Sequence, residues 1–272
     1  MPIVVNHPIR RMSQTEFGTL AYEVMRTVFA IRDEFGRFFD EKIYKRELMH
    51  RFPGVELEVA VQVVHGTFRK LYLLDVLVND GALFEFKTVD TLNPRHEAQL
   101  LNYLLLVELA HGKLVNLRPE VIGQKFVNTS LRLADRLQFV VDRCGWDDGV
   151  DGAGLFQDTL SAMLQDLGTG LELTLYDEAL VHFFGGEAQV IQDVEVRTPD
   201  HVLGSQKMRL AAPGVAFKIT GLEESLKDFE AHALRLLQHT SLKAVLWANI
   251  SRRTLALRVI RQKDKGQKNK SK

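Results

Sequence analysis

The stretch GALFEFKTVDTLNPRHEAQLLNYL (Gly81–Leu104) sets Glu85 and Lys87 two residues apart, alternating with the phenylalanines Phe84 and Phe86. Strand geometry with a period of two puts Glu85 and Lys87 on one face and both phenylalanines on the other. Burying such charges without partners costs several kcal/mol, so neighbouring groups should compensate them. Taken alone, the spacing reads as a salt bridge on a half-exposed strand. Asp75, in LYLLDVLV, changes that reading. Between the two segments lies Asn79-Asp80-Gly81, and its loop length decides the chemistry. A two-residue turn pairs Val76 with Glu85 and sends Asp75 to the other face. A three-residue loop, with Gly81 in the left-handed position, pairs Asp75 directly with Glu85. Two acids placed opposite each other repel, so that register makes sense only with a cation between them.

The elements that must carry these residues follow from periodicity. Residues 15–35 show helical spacing through Phe17, Leu20, Val24, Val28 and Ile31, closed by Gly36. A second helix is expected from about Phe39 to Phe52, stopped by Pro53-Gly54. VELEVAVQVV alternates as a strand, and LYLLDVLV and ALFEFKTV are two more. Asn93 caps the next helix, with Pro94 at its first position and Gly112 at its end. Arg95, Gln99 and Tyr103 share one stripe of it. GKLVNL and VIGQKFV supply two final strands. The order predicts an α/β fold, a mixed sheet flanked by helices.

Bulk properties narrow the class. A chain of 272 residues, 46% hydrophobic and 26% charged, has the composition of a soluble globular protein with one large or two modest domains. The lone Cys144 excludes an internal disulfide and a cysteine-based zinc site. No run is long enough to span a membrane and no signal-peptide pattern opens the chain, so a cytoplasmic location is expected. The net charge of zero divides into +5 on the end RQKDKGQKNKSK (261–272) and −5 elsewhere. A disordered basic tail is expected there, either gripping phosphates or only solubilising the chain. Among familiar catalytic motifs there is no phosphate loop, no H-E-x-x-H and no serine-nucleophile elbow.

Five weak motifs in the right order make a stronger signal. GRFFDEKIYKREL carries a Glu-x-x-Tyr as Glu41 and Tyr44, with Gly36 upstream. LYLLDVLV supplies an aspartate, EFK an E-x-K, and HEAQLLNYL a Gln-x-x-x-Tyr. Over about residues 12 to 128 the chain resembles the GxxExxY protein family, a branch of the PD-(D/E)XK nuclease superfamily. One departure is Phe38, where that family has a glycine. The resemblance implies a metal-dependent nuclease acting on phosphodiester bonds of nucleic acid, DNA more than RNA, with Mg²⁺ or Mn²⁺ as cofactor. Glu41, Asp75, Glu85, Lys87 and Gln99 would be its catalytic residues. The metal would sit on Glu41, Asp75, Glu85 and the backbone carbonyl of Phe86, all hard oxygen ligands. It would lower the pKa of the attacking water and hold a phosphate oxygen. Lys87 would orient that water or stabilise transition-state charge. Gln99 would orient the phosphate or a site carboxylate, with Tyr103 behind it and Arg95 and His96 as phosphate contacts. Both histidine and arginine have a plainer reading as surface residues, and Tyr44 as a packing residue under Glu41.

The C-terminal half reads as a second, degenerate copy. A shift of 133 residues lays Glu97 on Glu230, Leu109 on Leu242, Asn116 on Asn249, Gly81 on Gly214 and Phe84 on Phe217 without a gap. With one residue of slippage, YKRELMH matches YDEALVH, Tyr44 falling on Tyr176 and His50 on His182. Gly168 and Gly170 supply both family glycines. The charged positions have changed: Glu41 corresponds to Leu173, Asp75 to Met208, Glu85 to Lys218, Lys87 to Thr220 and Gln99 to His232. The organisation expected is a nuclease-like domain over 1–143, a linker CGWDDGVDGAG (Cys144–Gly154), a degenerate repeat over 155–260 and the tail. The two halves would form an intramolecular pseudo-dimer. The competing reading is a non-enzymatic module, binding nucleic acid or a protein, in which the first site is vestigial.

Overall fold

A computed structural model describes residues 2–262. The expected tail lies outside them from Lys263 onward, and its first residue, Arg261, ends a strand and pairs with Asp147 at 2.8 Å. No described helix is long and apolar enough to cross a membrane. The chain forms two compact units. Met1–Asp135 with Gly170–Glu172 makes the first, and Arg136–Thr169 with the residues from Leu173 onward makes the second.

In the first unit, β1 (Ile3–Val5) precedes α1 (Gln14–Phe35) and α2 (Glu41–Arg51). Then come β2 (Val55–His65), β3 (Phe68–Val78), β4 (Ala82–Lys87), α3 (Pro94–Leu106), β5 (His111–Asn116) and β6 (Gly123–Asn128). The six strands lie in chain order in one sheet. Only β4 and β5 are parallel, and α3 supplies the crossover that a parallel pair needs. Helix α1 starts at a capping box, Ser13 accepting the Glu16 N–H while Glu16 accepts that of Ser13. Its apolar stripe, Phe17, Val24, Val28 and Ile31, packs with Tyr44 and Leu48 of α2 against Val76, Phe84 and Phe86. The two phenylalanines thus lie in the core, and alternation turns Glu85 and Lys87 to the other side of β4.

Two local expectations are corrected. The β3–β4 connection is the three-residue loop, with Val78 paired to Ala82, but its left-handed residues are Asn79 (φ 48°) and Asp80 (φ 61°). Gly81 serves close approach instead: a Cβ there would meet the Arg10 carbonyl oxygen at 2.2 Å. Helix α3 ends at Leu106, where the Val107 N–H closes on the Tyr103 carbonyl, whereas Gly112 lies inside β5. The turn before α2 takes its left-handed residue from Gly36 (φ 74°), so it does not need a glycine at Phe38.

The second unit begins with α4 (Leu133–Arg136, shared with the end of the first) and β7 (Val140–Asp142). It continues through α5 (Ala153–Leu167), α6 (Leu173–Phe183), α7 (Glu187–Val190), β8 (Ile191–Arg197) and β9 (Val202–Ala212). The remaining elements are β10 (Val215–Thr220), α8 (Leu226–Gln238), β11 (Ala244–Ile250) and β12 (Thr254–Arg261). Its sheet runs β7-β12-β11-β10-β9-β8. The expected boundary at residue 143 is therefore too late. Strand β7 pairs in parallel with β12, and the Gly- and Asp-rich linker is a set of turns inside the second unit.

The two units share a plan. Each has two helices, three antiparallel strands, a crossover helix, a strand parallel to the third, and a last antiparallel strand. Leu83 pairs with Gly112 in one and Ala216 with Val245 in the other, each 133 residues on. Tyr44 donates its hydroxyl to the Gly36 carbonyl (2.7 Å), and Tyr176 does the same to Gly168 (2.9 Å). Buried Asn116 clamps the Val89 N–H and C=O, and buried Asn249 clamps those of Leu222. Each tyrosine ties the second helix to the loop that introduces it. Tyr44→Phe is expected to lower unfolding free energy by about 1 kcal/mol, and Tyr176→Phe by a similar amount, both measured by urea titration. A change near zero would mean that these hydroxyls exchange freely with water.

Candidate active site

The site lies where β3 and β4 part. Their regular pairing runs through Val78↔Ala82, Leu77↔Leu83 and Val76↔Phe84. The next pair would be Asp75 and Glu85, and there the ladder gives way. Asp75 Oδ2 accepts the Phe86 N–H at 2.7 Å, taking the place of a backbone carbonyl. On its other side β3 pairs Val76 with Leu57 and Leu74 with Val59, skipping Glu58, which faces Asp75 in left-handed backbone (φ 54°). A non-glycine residue held there carries of order 1 kcal/mol of strain.

Two ammonium groups hold the carboxylates. Lys45, one turn after Glu41 on α2, is buried (7% exposed) and forms a short hydrogen bond to Asp75 Oδ1. Its Nζ also lies 3.3 Å from Glu41 Oε1 and 3.8 Å from Glu58 Oε1. Lys87 Nζ donates to Glu85 Oε1 at 2.5 Å. Glu85 is 1% exposed, and its other oxygen, Oε2, is buried with no hydrogen-bond partner. A buried carboxylate oxygen left so is costly and calls for a cation or proton.

The electrostatics follow from this packing. Burial, with the Asp75 charge adding to it, pushes Glu85 up to about 7 against the pull of Lys87. Burial raises Glu41 too, again with Asp75 adding to it. For Lys45, burial opposes the charged form, but the hydrogen bonds and charges of Asp75 and Glu41 together outweigh it, and its pKa is raised. Lys87 behaves likewise through Glu85. Both lysines therefore stay charged at neutral pH.

The shift of Glu85 has a consequence for stability. A carboxylate whose folded pKa exceeds its unfolded value binds more protons when folded, so it destabilises the fold at high pH. That penalty is fully present above about 7 and is relieved as pH falls toward the unfolded value near 4.5. In metal-free protein, Glu85→Gln is expected to be more stable than wild type at pH 8, by about 3 kcal/mol at most. The advantage should vanish near pH 4.5. Urea titrations across that range in EDTA check it, and a difference independent of pH would show that folding does not shift the titration of Glu85.

The remaining residues singled out in the sequence are distributed as follows. Gln99 Nε2 donates to the Tyr103 hydroxyl at 3.0 Å, and burial, with Glu85 adding to it, raises the Tyr103 pKa. Arg95 is exposed at the start of α3. His96 completes a capping box with Asn93, its Nδ1 accepting the Asn93 N–H at 3.2 Å. Tyr44 is a packing residue, 1% exposed. Lys45 is the site residue that the sequence alone does not single out. Its one signal was the i, i+4 spacing from Glu41, which names a helical ion pair but not the strand residue 30 positions away that it also holds.

The donor chemistry fits a hard divalent cation. Asp75 and Glu85 come from adjacent strands with Glu41 within electrostatic reach, and Glu85 Oε2 is free to ligate. Among the described residues, however, no three acidic, histidine or cysteine side chains are drawn together in a ready metal-binding group. Each carboxylate of the cluster is turned instead toward an ammonium.

A family model described as the PD-(D/E)XK nuclease superfamily matches residues 18–127. The match falls within the first unit and takes in Glu41, Asp75, Glu85, Lys87, Gln99 and Tyr103, so nuclease is the class of activity that this unit points to. The mixed α/β architecture accords with that class. No curated protein matches the chain. The solved crystal structure of SSO0001 aligns with 24% identity over 44% of this chain and 61% of that one, at a TM-score of 0.27. This chain thus spans less than two thirds of that protein.

Proposed function

We propose that the first unit is a GxxExxY-type nuclease dependent on Mg²⁺ or Mn²⁺, hydrolysing phosphodiester bonds in nucleic acid, with DNA ahead of RNA as substrate. The observation that carries this reading is the buried, unpartnered Oε2 of Glu85, two residues from the charged Lys87. A divalent ion there would supply Lewis acidity toward a phosphate oxygen and a more acidic water. Asp75, Glu85 and the Phe86 carbonyl would hold it, with Glu41 as a third carboxylate acting directly or through water. Lys87 would present its protons to the attacking water or to the charge that builds on the phosphate. Gln99, steadied by Tyr103, would orient the phosphate, and Arg95 and His96 at the start of α3 would contact its neighbours.

The second unit, on this reading, is a copy of the first that kept the framework and lost the site. Its matching β-ladder registers and its tyrosine and asparagine clamps support duplication. At the place of Lys45 stands Asp177. Burial raises its pKa while Arg209 and Lys218 pull the other way, so the signs of the charges are inverted there. No metal would bind such a set. The test is incubation of the full chain with labelled single- and double-stranded DNA and RNA, in Mg²⁺, Mn²⁺ or EDTA. Cleavage of at least one substrate, abolished by EDTA, is expected. Failure on all four with both metals would overturn the proposal.

A further inference from the structure

Lys45 is the most constrained charged side chain of the site. Its stem is buried, and its ammonium meets oxygens of Asp75, Glu41 and Glu58, which arrive from β3, α2 and β2. Oxygens of three carboxylates converging on one cation is the arrangement expected around a metal. Here a side chain fills it. The other end of the cluster differs: Glu85 Oε2 has no partner, although Lys87 occupies Oε1.

Charge counting separates the two ends. Glu41, Asp75 and Glu85 face two ammoniums, Lys45 and Lys87, leaving one negative charge, or two with the exposed Glu58. With Glu58 counted, one divalent ion balances that residue of charge. A second would leave a half-buried cluster with net positive charge, which desolvation penalises.

We infer that Lys45 is a built-in cation on the Glu41–Asp75 side of the cluster, sharing Asp75 and Glu41 with the metal, so that the site takes one divalent ion, anchored on Glu85, rather than two. Lys45 is then a positioning residue. It holds Asp75 in the fork between β3 and β4 and sets metal stoichiometry without touching substrate. This inference rests on the metal-dependent reading of the same site.

Equilibrium titration of the full chain with Mn²⁺, counting bound ions by the loss of the free-ion paramagnetic resonance signal, tests it. Wild type is expected to bind one ion per chain, lost in Glu85→Gln. Lys45→Met, which keeps the stem and removes the charge, is expected to bind two and to gain more in melting temperature from Mn²⁺ than wild type does. Should Lys45→Met not fold without metal, the count is made on Lys45→Gln, and the wild-type count stands by itself. Two ions in wild type, or one in the folded lysine variants, overturns the inference while leaving the nuclease reading in place. No bound ion in wild type overturns both.

Discussion

Lys87→Ala is expected to cut metal-dependent cleavage by roughly 10²–10³-fold while leaving the fold intact, because a single positioned charge at a developing anion is worth about 3–4 kcal/mol. The ammonium sits at 2.5 Å from Glu85, is held charged by it, and retains some exposure (16% of its side chain), so a substrate atom can reach it. Losing it also leaves Glu85 without its one cationic partner, and that carboxyl should become harder still to ionise. Metal affinity would change too, because a cation that competes for Glu85 is gone. Single-turnover rates on the best-cut substrate, at saturating Mn²⁺, separate the two effects: the chemical step should stay slow after the metal site is filled. Activity within a few-fold of wild type would remove Lys87 from the chemistry. Far-UV circular dichroism and urea midpoints are the control for folding.

Asp75→Ala is expected to have the largest effect on stability. Asp75 is 8% exposed, and both of its oxygens are engaged, one by Lys45 and the other by the Phe86 N–H. Truncation strands a buried ammonium and a buried backbone donor together. Breaking a buried pair by removing one partner costs about 3–5 kcal/mol, and the nearby Glu41 and Glu58 carboxylates should hold the loss toward the lower end by taking up part of the Lys45 charge. Asp75→Asn keeps an acceptor for the Phe86 N–H and should cost less. Urea unfolding in EDTA at pH 7 measures both. A loss below 1 kcal/mol for Asp75→Ala would mean that water, not Asp75, solvates Lys45.

These two variants probe different parts of what was readable beforehand. Helices α1 and α2, the strands and the crossover helix follow from hydrophobic periods of 3.6 and 2 and from the Asn93-Pro94 start, all local signals. Glu41, Asp75, Glu85, Lys87 and Gln99 were legible because their types stand out on apolar elements. Strand β1 was missed: three residues on an edge carry too short a pattern to be seen. The unit boundary was misplaced because glycine and aspartate mark turns wherever they occur, while β7 belongs with β12 through pairing more than a hundred residues apart in the chain.

The amino-acid order by itself determined which residues could carry chemistry, the sequence of elements that presents them, and the 133-residue echo between the two halves. Those are matters of local propensity and of composition at fixed spacing. Tertiary structure alone decided which charges meet. The choice between a two- and a three-residue β3–β4 loop was open locally and was settled by what the strands pack against: Val76, Phe84 and Phe86 share one core with α1 and α2. That register brings Asp75 level with Glu85, and the packing of α2 on the sheet carries Lys45 to Asp75 across 30 residues of chain. A cation was required between the acids by electrostatics. That the chain sets Lys45, from a helix, against Asp75 and Lys87 against Glu85 is a property of the folded geometry, because the energy of a charge depends on what surrounds it in space.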